Sequence, residues 1–225
     1  MTDLAIPTVN PALLQQATHL LLEPAALEMR QLSQVLADIH IRHVDYADLY
    51  FQYSRLESWS LEEGIVKAGS FSIDRGVGVR AVAGEKTAFA YSDDISIDSL
   101  EQAAAATRAI GRQGASSVAA LEKLGEARAL YAAQDPVVVL PDAEKVALLE
   151  RLERIARARD PRVTQVMASL AGEFEAILIA RSDGLIAVDV TASGAAAACG
   201  RPSGGAGGGA VGAAVSLPKS RWRVK

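Results

Sequence analysis

Apolar positions change their spacing several times along this chain. Residues 1–43 read as helical. Leu13, Leu14, Leu20, Leu21 and Leu22 fill a first segment that starts near Pro11. Leu27, Leu32, Val35, Leu36 and Ile39 fill a second, from Pro24 to about Ile41. Spacings of three and four residues line one face of a helix. Pro11 suits a first helical turn, where its missing N–H costs nothing.

From Val44 the spacing shortens. Tyr46, Leu49, Tyr50, Phe51 and Tyr53 stand among Asp and Gln, and Trp59, Leu61, Ile65 and Val66 continue the pattern around a turn near Gly64. Phe71, Ile73, Val77, Val79 and Ala81 then recur every second residue, interrupted by Gly76 and Gly78. This predicts that residues 44 to 91 form an antiparallel meander, turning again at Gly84-Glu85, with Phe71, Ile73, Val77 and Val79 on one buried face.

Ser96 predicts the start of a helix carrying Leu100, Ala103, Ala104, Thr107 and Ile110, because a serine hydroxyl can satisfy an open N–H there. Residues 115 to 141 read as irregular. Pro141-Asp142 opens another helix with Val146, Leu149, Leu152 and Ile155, and Asp160-Pro161 stops it. Three strands follow, Val163 to Leu170, Glu173 to Arg181 and Leu185 to Val190, with Ser182-Asp183-Gly184 as a tight turn. The fold class expected is α+β: N-terminal helices, an antiparallel sheet, helices packed on it and further strands.

After Val190 the pattern stops. Ala195 to Ala198 and Gly204 to Gly209 show neither period, and residues 191–225 read as a disordered, low-complexity tail after a domain of 1–190.

Composition narrows the function without naming it. Half the residues are hydrophobic and 22% are charged, with a net charge of −4. That balance gives no electrostatic reason to expect nucleic acid or an anionic membrane as partner. The single cysteine, Cys199, excludes an intrachain disulfide. No apolar run is long enough to cross a bilayer and no signal-peptide pattern opens the chain, so a cytoplasmic protein is expected.

Several residues invite a chemical reading. His40 and His43, with Asp45 and Asp48, have the spacing of a metal site, but the helix should end near here and Asp45 starts a strand, so they read as a solvated helix end. His19 reads as a helix-boundary residue. Gly76-Val77-Gly78 has the look of a phosphate loop, yet it lies inside a strand pattern, where glycine more often marks a close backbone approach. Glu57, Glu62 and Glu63 gather near Trp59 without a nucleophile or metal ligand beside them. Cys199 has no histidine near it in sequence. No residue is therefore assigned to catalysis, cofactor binding or metal binding.

The order of several strings carries more than any one of them. Asp45 to Gln52, Glu57 to Lys67, Gly76-Val77-Gly78-Val79-Arg80-Ala81 and Gly84 to Tyr91 resemble the N-terminal domain of the TldD/PmbA family, once called modulators of DNA gyrase. The resemblance is to TldD more than to PmbA (TldE) and covers roughly residues 12 to 190. It implies a cytoplasmic zinc-dependent peptidase working with a PmbA/TldE-type subunit on peptides. In that family a His-Glu-x-x-x-His helix of the C-terminal domain holds zinc. This sequence has no histidine after His43. The expectation is thus a portion of a metalloprotease, inactive alone, with no cofactor of its own. A stand-alone module engaging PmbA/TldE, peptide or a second copy is the alternative.

The family resemblance also bears on the tail. TldD-like chains continue after Asp-Val into Arg-Pro-Leu-Val-Arg-Leu, where this chain has Thr191-Ala192-Ser193-Gly194-Ala195-Ala196. Among the synonymous codons for this segment, the choice ACG GCC TCT GGT GCG GCT, followed by the G of an Ala197 codon, gives the family string when read from the second base. Residues 191–225 accordingly read as an out-of-frame product.

Overall fold

The computed structural model describes residues 11–40, 44–108, 121, 123–124, 140–202 and 211–216. Helix α1 (Pro11–Leu21) leads through a 3-10 turn (Glu23–Ala25) into helix α2 (Met29–His40). The second helix begins at Met29 rather than at Pro24. Pro24 sits in the tighter turn, and Ala26 takes a left-handed φ of 51°, a conformation that ends a helical segment. Of α2, Leu32, Val35, Leu36 and Ile39 are buried. Each such aliphatic side chain contributes roughly 1.5–3 kcal/mol relative to exposure.

Strands β1 (Tyr46–Glu62), β2 (Ile65–Ala83) and β3 (Lys86–Ser92) form the expected meander, followed by helix α3 (Ile97–Arg108). Glu63 and Gly64 turn the chain between β1 and β2 with φ of 54° and 75°, the left-handed pair of a tight hairpin. Ser96 sits at the start of α3, its hydroxyl accepting from the Ser99 N–H at 3.2 Å. Strand β4 (Lys123–Leu124), helix α4 (Asp142–Arg159) and strands β5 (Val163–Arg181), β6 (Leu185–Pro202) and β7 (Val211–Ser216) complete the order. In the sheet the strands run β3-β2-β1-β5-β6-β4, with β7 also paired to β6.

The described chain is α+β, with three departures from expectation. The two strands expected over 163–181 are one: β5 passes unbroken through Ala171-Gly172. Lys123–Leu124, expected to be irregular, pairs with Leu185 and Ile186 in parallel rather than antiparallel fashion. The sheet also does not stop at Val190. Strand β6 runs to Pro202, and Ala195 to Gly200 pair antiparallel with Val211 to Ser216. Ala192, Ala196 and Ala198 are buried while Ala195 and Cys199 are exposed. The alternation is real but invisible in letters, because alanine serves on both faces. Residues 203–210 and 217–225 of the expected disordered tail lie outside the described residues.

The chain divides into two compact units. The first comprises Met1–Ser54, Asp74–Leu130 and Glu175–Val190, the second Arg55–Ile73, Tyr131–Phe174 and Thr191–Lys225. Strands β1, β2, β5 and β6 each contribute to both. In the first unit α3 packs against α2 and β3. Its sheet buries Ala47, Leu49, Phe51, Val77, Val79 and Ala81, with Ala176, Leu178 and Ala180 of β5. In the second unit one helix carries the core. Leu149, Leu152 and Ala156 of α4 meet Leu61, Val163, Val166, Ala168, Leu170, Ala196 and Ala198. Ile155, expected on that face, is 41% exposed. Intervals of three drift around a helix of 3.6 residues per turn, so the buried stripe runs instead through Lys145, Leu149, Leu152, Glu153 and Ala156.

The expected face of β2 also divides. Val77 and Val79 are buried, but Phe71 is 58% and Ile73 48% exposed. Every residue from Ile65 to Arg75 is exposed. A helix is about 10–12 Å wide and strands stand about 4.8 Å apart, so α4 spans roughly two to three of them. The α4 core takes β1, β5 and β6 and includes nothing from β2.

Candidate functional site

The residues with chemical promise are mostly committed to one another. In the second unit the acidic group at the end of β1 is dispersed. Glu57 is buried and accepts two hydrogen bonds from Lys145 Nζ, at 2.7 and 2.8 Å. Trp59 Nε1 also donates to Glu57, at 2.5 Å. Gln165 donates to Glu62 at 2.7 Å. Glu63 accepts from the Val166 N–H at 3.0 Å and from Arg157 at 2.8 Å. The Val166 backbone bond, then Arg157, holds the Glu63 carboxyl below its ordinary range. These groups staple α4 to the sheet.

Of the histidine–aspartate group near the end of α2, His40, Asp45 and Asp48 are described. His40 is buried at the end of α2, and burial lowers its pKa, against opposing effects of a hydrogen bond with the Val44 backbone and the charge of Asp45. His43 lies outside the described residues. Asp45 accepts from the Gly84 N–H at 2.6 Å and so closes the β2–β3 turn. Asp48 is buried and paired with Arg80, whose Nε donates at 2.9 Å. His19 is exposed and bonded to Glu23 at 2.8 Å. Cys199 is exposed on β6. Among the described residues no group of three or more His, Cys, Asp or Glu side chains could hold a metal. The residues described therefore do not fit the zinc that the family resemblance implies.

The glycines owe their place to packing. A Cβ on Gly76 would stand 2.8 Å from the Ser92 carbonyl oxygen, and one on Gly78 2.9 Å from the Phe89 ring. No strand-to-helix phosphate loop is present there, since both lie within β2.

Sequence reading missed three arrangements. The first is the Glu57–Lys145 pair; a lysine in line with Leu149 on the α4 stripe was its only signal. The second centres on Tyr46, whose ring lies 5.6 Å from the Arg80 guanidinium carbon and 5.5 Å from that of Arg181. Burial and then Asp48 push the Tyr46 phenol up. The third is a concavity of about 330 Å³ whose lining includes Tyr50, Gly76, Gly78, Phe89 and Tyr91. It forms because Gly78 stands directly opposite Tyr91 and Arg80 opposite Phe89, which puts both aromatics on the face that Gly78 leaves bare.

The profile of PmbA/TldA metallopeptidase domain 1 matches residues 47–129, and that of the PmbA/TldA metallopeptidase central domain matches residues 135–217. The second match passes Val190, so the family likeness extends beyond the boundary read from the sequence. A metalloprotease TldD homolog of Haemophilus influenzae is 46% identical over 180 residues, which is 79% of this chain and 37% of that protein. A second TldD homolog, from Buchnera aphidicola subsp. Schizaphis graminum, is 37% identical over 177 residues, again 79% of this chain and 37% of the relative. The chain thus spans little more than a third of the curated relatives it matches. A crystal structure from Thermotoga maritima, described as a candidate modulator of a DNA gyrase, superposes with a TM-score of 0.60 at 15% identity over 80% of this chain and 41% of that one. TldE from Thermococcus kodakarensis superposes with 0.52 at 15% identity, over 83% and 43%. These two likenesses speak to the fold. Profile matches in series, relatives at this identity and the shared fold together place the chain in the PmbA/TldD metallopeptidase family, of which it carries the first and central domains.

Proposed function

We propose that this chain is the scaffold portion of a cytoplasmic TldD-type zinc metallopeptidase and has no peptidase activity alone. The observation that carries this reading is the sequence itself. Its only histidines are His19, His40 and His43, and none stands in a His-Glu-x-x-x-His string. Zinc, water activation and peptide cleavage would belong to residues outside this sequence, with a PmbA/TldE-type subunit as partner and a peptide as substrate. Elemental analysis of the purified chain, together with cleavage of an unstructured peptide, tests it. The expected result is substoichiometric zinc and no cleavage. Stoichiometric zinc with chelator-sensitive cleavage would overturn it.

One observation favours the binding-module reading. The stretch Ile65–Arg75 of β2 lies beyond its pairing with β3, which reaches only to Val77 opposite Ser92. Among the described residues no strand pairs with that side of Ile65–Arg75, and such an edge can add a strand from a partner. Co-purification of the chain with a PmbA/TldE-type subunit, lost on Phe71→Lys, would support that reading; a subunit that ignores the chain would end it.

We further propose that residues 191–225 are an out-of-frame product. Strand pairing rests on backbone groups that any non-proline residue supplies, so the course of β6 to Pro202 is compatible with such an origin, whereas the central-domain profile match to residue 217 argues against it. Sequencing the gene decides it: the expected result is a TldD-like reading frame displaced by one base after the Val190 codon.

A further inference from the structure

We propose that the concavity beside Gly78, in the first unit, binds an organic cation the size of a lysine side chain. Tyr50, Gly76, Gly78, Phe89 and Tyr91 are among the residues that line it, with the Phe89 ring packed against Gly78. Phe89 and Tyr91 are 64% and 72% exposed. Two large aromatics left open on one strand face are uncommon on a soluble surface and mark contact sites. The volume of about 330 Å³ lies at the small end of ligand sites. It takes one side chain rather than a folded element.

Charge selects the occupant. Asp74 and Asp93 stand on the rim with Arg75. Arg75 also meets Asp94, which is not among the lining residues. Glu175, bonded to Gln52 at 2.6 Å, adds negative charge beside Tyr50. Aromatic faces carry negative charge density and attract a cation, most strongly where water is partly displaced. Carboxylates and ring faces therefore act in the same direction, and an anion or a carboxylate side chain meets both as repulsion. The glycines matter because a side chain at Gly78 would strike the Phe89 ring.

This site is separate from the peptidase reading, since binding needs neither zinc nor a second subunit. The test is a titration of the isotope-labelled full chain, followed by backbone amide resonances. The probes are the peptides acetyl-Gly-Lys-Gly-amide and acetyl-Gly-norleucine-Gly-amide. Lysine should shift the Gly76 and Gly78 amides saturably, and norleucine should bind about fivefold more weakly, the worth of one exposed cation–π contact. Asp74→Asn with Asp93→Asn should weaken lysine binding while leaving the spectrum otherwise folded, and Tyr91→Ala should weaken it as well. Equal affinity for the two peptides, shifts confined to other residues, or binding unchanged in the double asparagine variant would each overturn the proposal.

Discussion

Two stretches of the same strand behave in opposite ways. From Val77 to Ala81, β2 buries its odd positions; from Ile65 to Ile73 it buries none. Both carry β-branched or aromatic residues at alternate places. The difference lies in the neighbours. The first stretch has β3 paired along one side, from Val77 opposite Ser92 to Ala83 opposite Lys86, and lies in the unit that holds α1, α2 and α3. The second belongs to a unit whose helical cover is α4, and α4 packs on β1, β5 and β6. Alternation states which residues share a face. It does not state whether anything covers that face.

Breaking the cover itself should have the largest effect. Lys145→Met leaves Glu57 charged and buried with one donor fewer. It should cost about 3–5 kcal/mol in urea unfolding, as removal of one partner of a buried pair does. Adding Glu57→Leu should recover most of that loss, because the unpaired charge goes with it. A single variant of near wild-type stability would show that the pair is not buried as described.

The two stretches of β2 can be compared directly. Val79→Ala should lower stability by about 2 kcal/mol through lost burial and a residual cavity. Phe71→Ala, although it removes far more side chain, should stay within about 0.5 kcal/mol, as exposed positions do. Equal losses would contradict the division of β2.

The glycines sharpen the same contrast on a smaller scale. Gly76→Ala should cost more than Gly78→Ala, each of order 1–2 kcal/mol. The first Cβ meets a backbone carbonyl, whereas the second meets an exposed ring that can swing away. The reverse order would mean that Phe89 is fixed.

The smallest effect is in pH. His40 has its pKa lowered below 6.5 by burial, so the folded state favours the neutral ring. The unfolded chain then takes up the proton first as pH falls. Stability should be full above about 6.5 and decline below it, down to the folded value. His40→Gln should flatten that decline, measured as melting temperature between pH 7 and pH 5. An unchanged slope would remove His40 from the account. Asp160, held down to about 2 by Arg162, acts in a lower window: its contribution is present above about 4 and lost as pH falls toward 2.

Much of this was legible in the sequence, for identifiable reasons. The helices α1 and α2, the turns at Gly64, Gly84 and Gly184, and the capped start of α3 follow from local periodicity and from residues that need a positive φ or supply a hydroxyl. What was not legible depends on distant partners. Lys145 reads as a solvated helix residue until Glu57, far away in the chain, is placed above it. The buried set Ala192, Ala196 and Ala198 cannot be told from exposed alanines by type. The two compact units interleave, because strands of 17 to 19 residues run through both. The family profiles divide the chain once, between residues 129 and 135. A reading along the chain finds domains in series and cannot see units that share strands. The sequence reading assigned no residue to catalysis, and the arrangements that the fold adds, the Glu57–Lys145 pair and the concavity lined by Gly78 and Tyr91, join residues from different elements.

Amide hydrogen exchange along β2 tests the central contrast most directly. Between Val77 and Ala83, where β1 and β3 flank the strand, nearly every amide should exchange slowly. Between Ile65 and Arg75 slow and fast amides should alternate, because among the described residues only β1 pairs with this part of the strand. Uniform protection from Ile65 to Ala83 would contradict the account, since it would mean that the exposed stretch is covered after all.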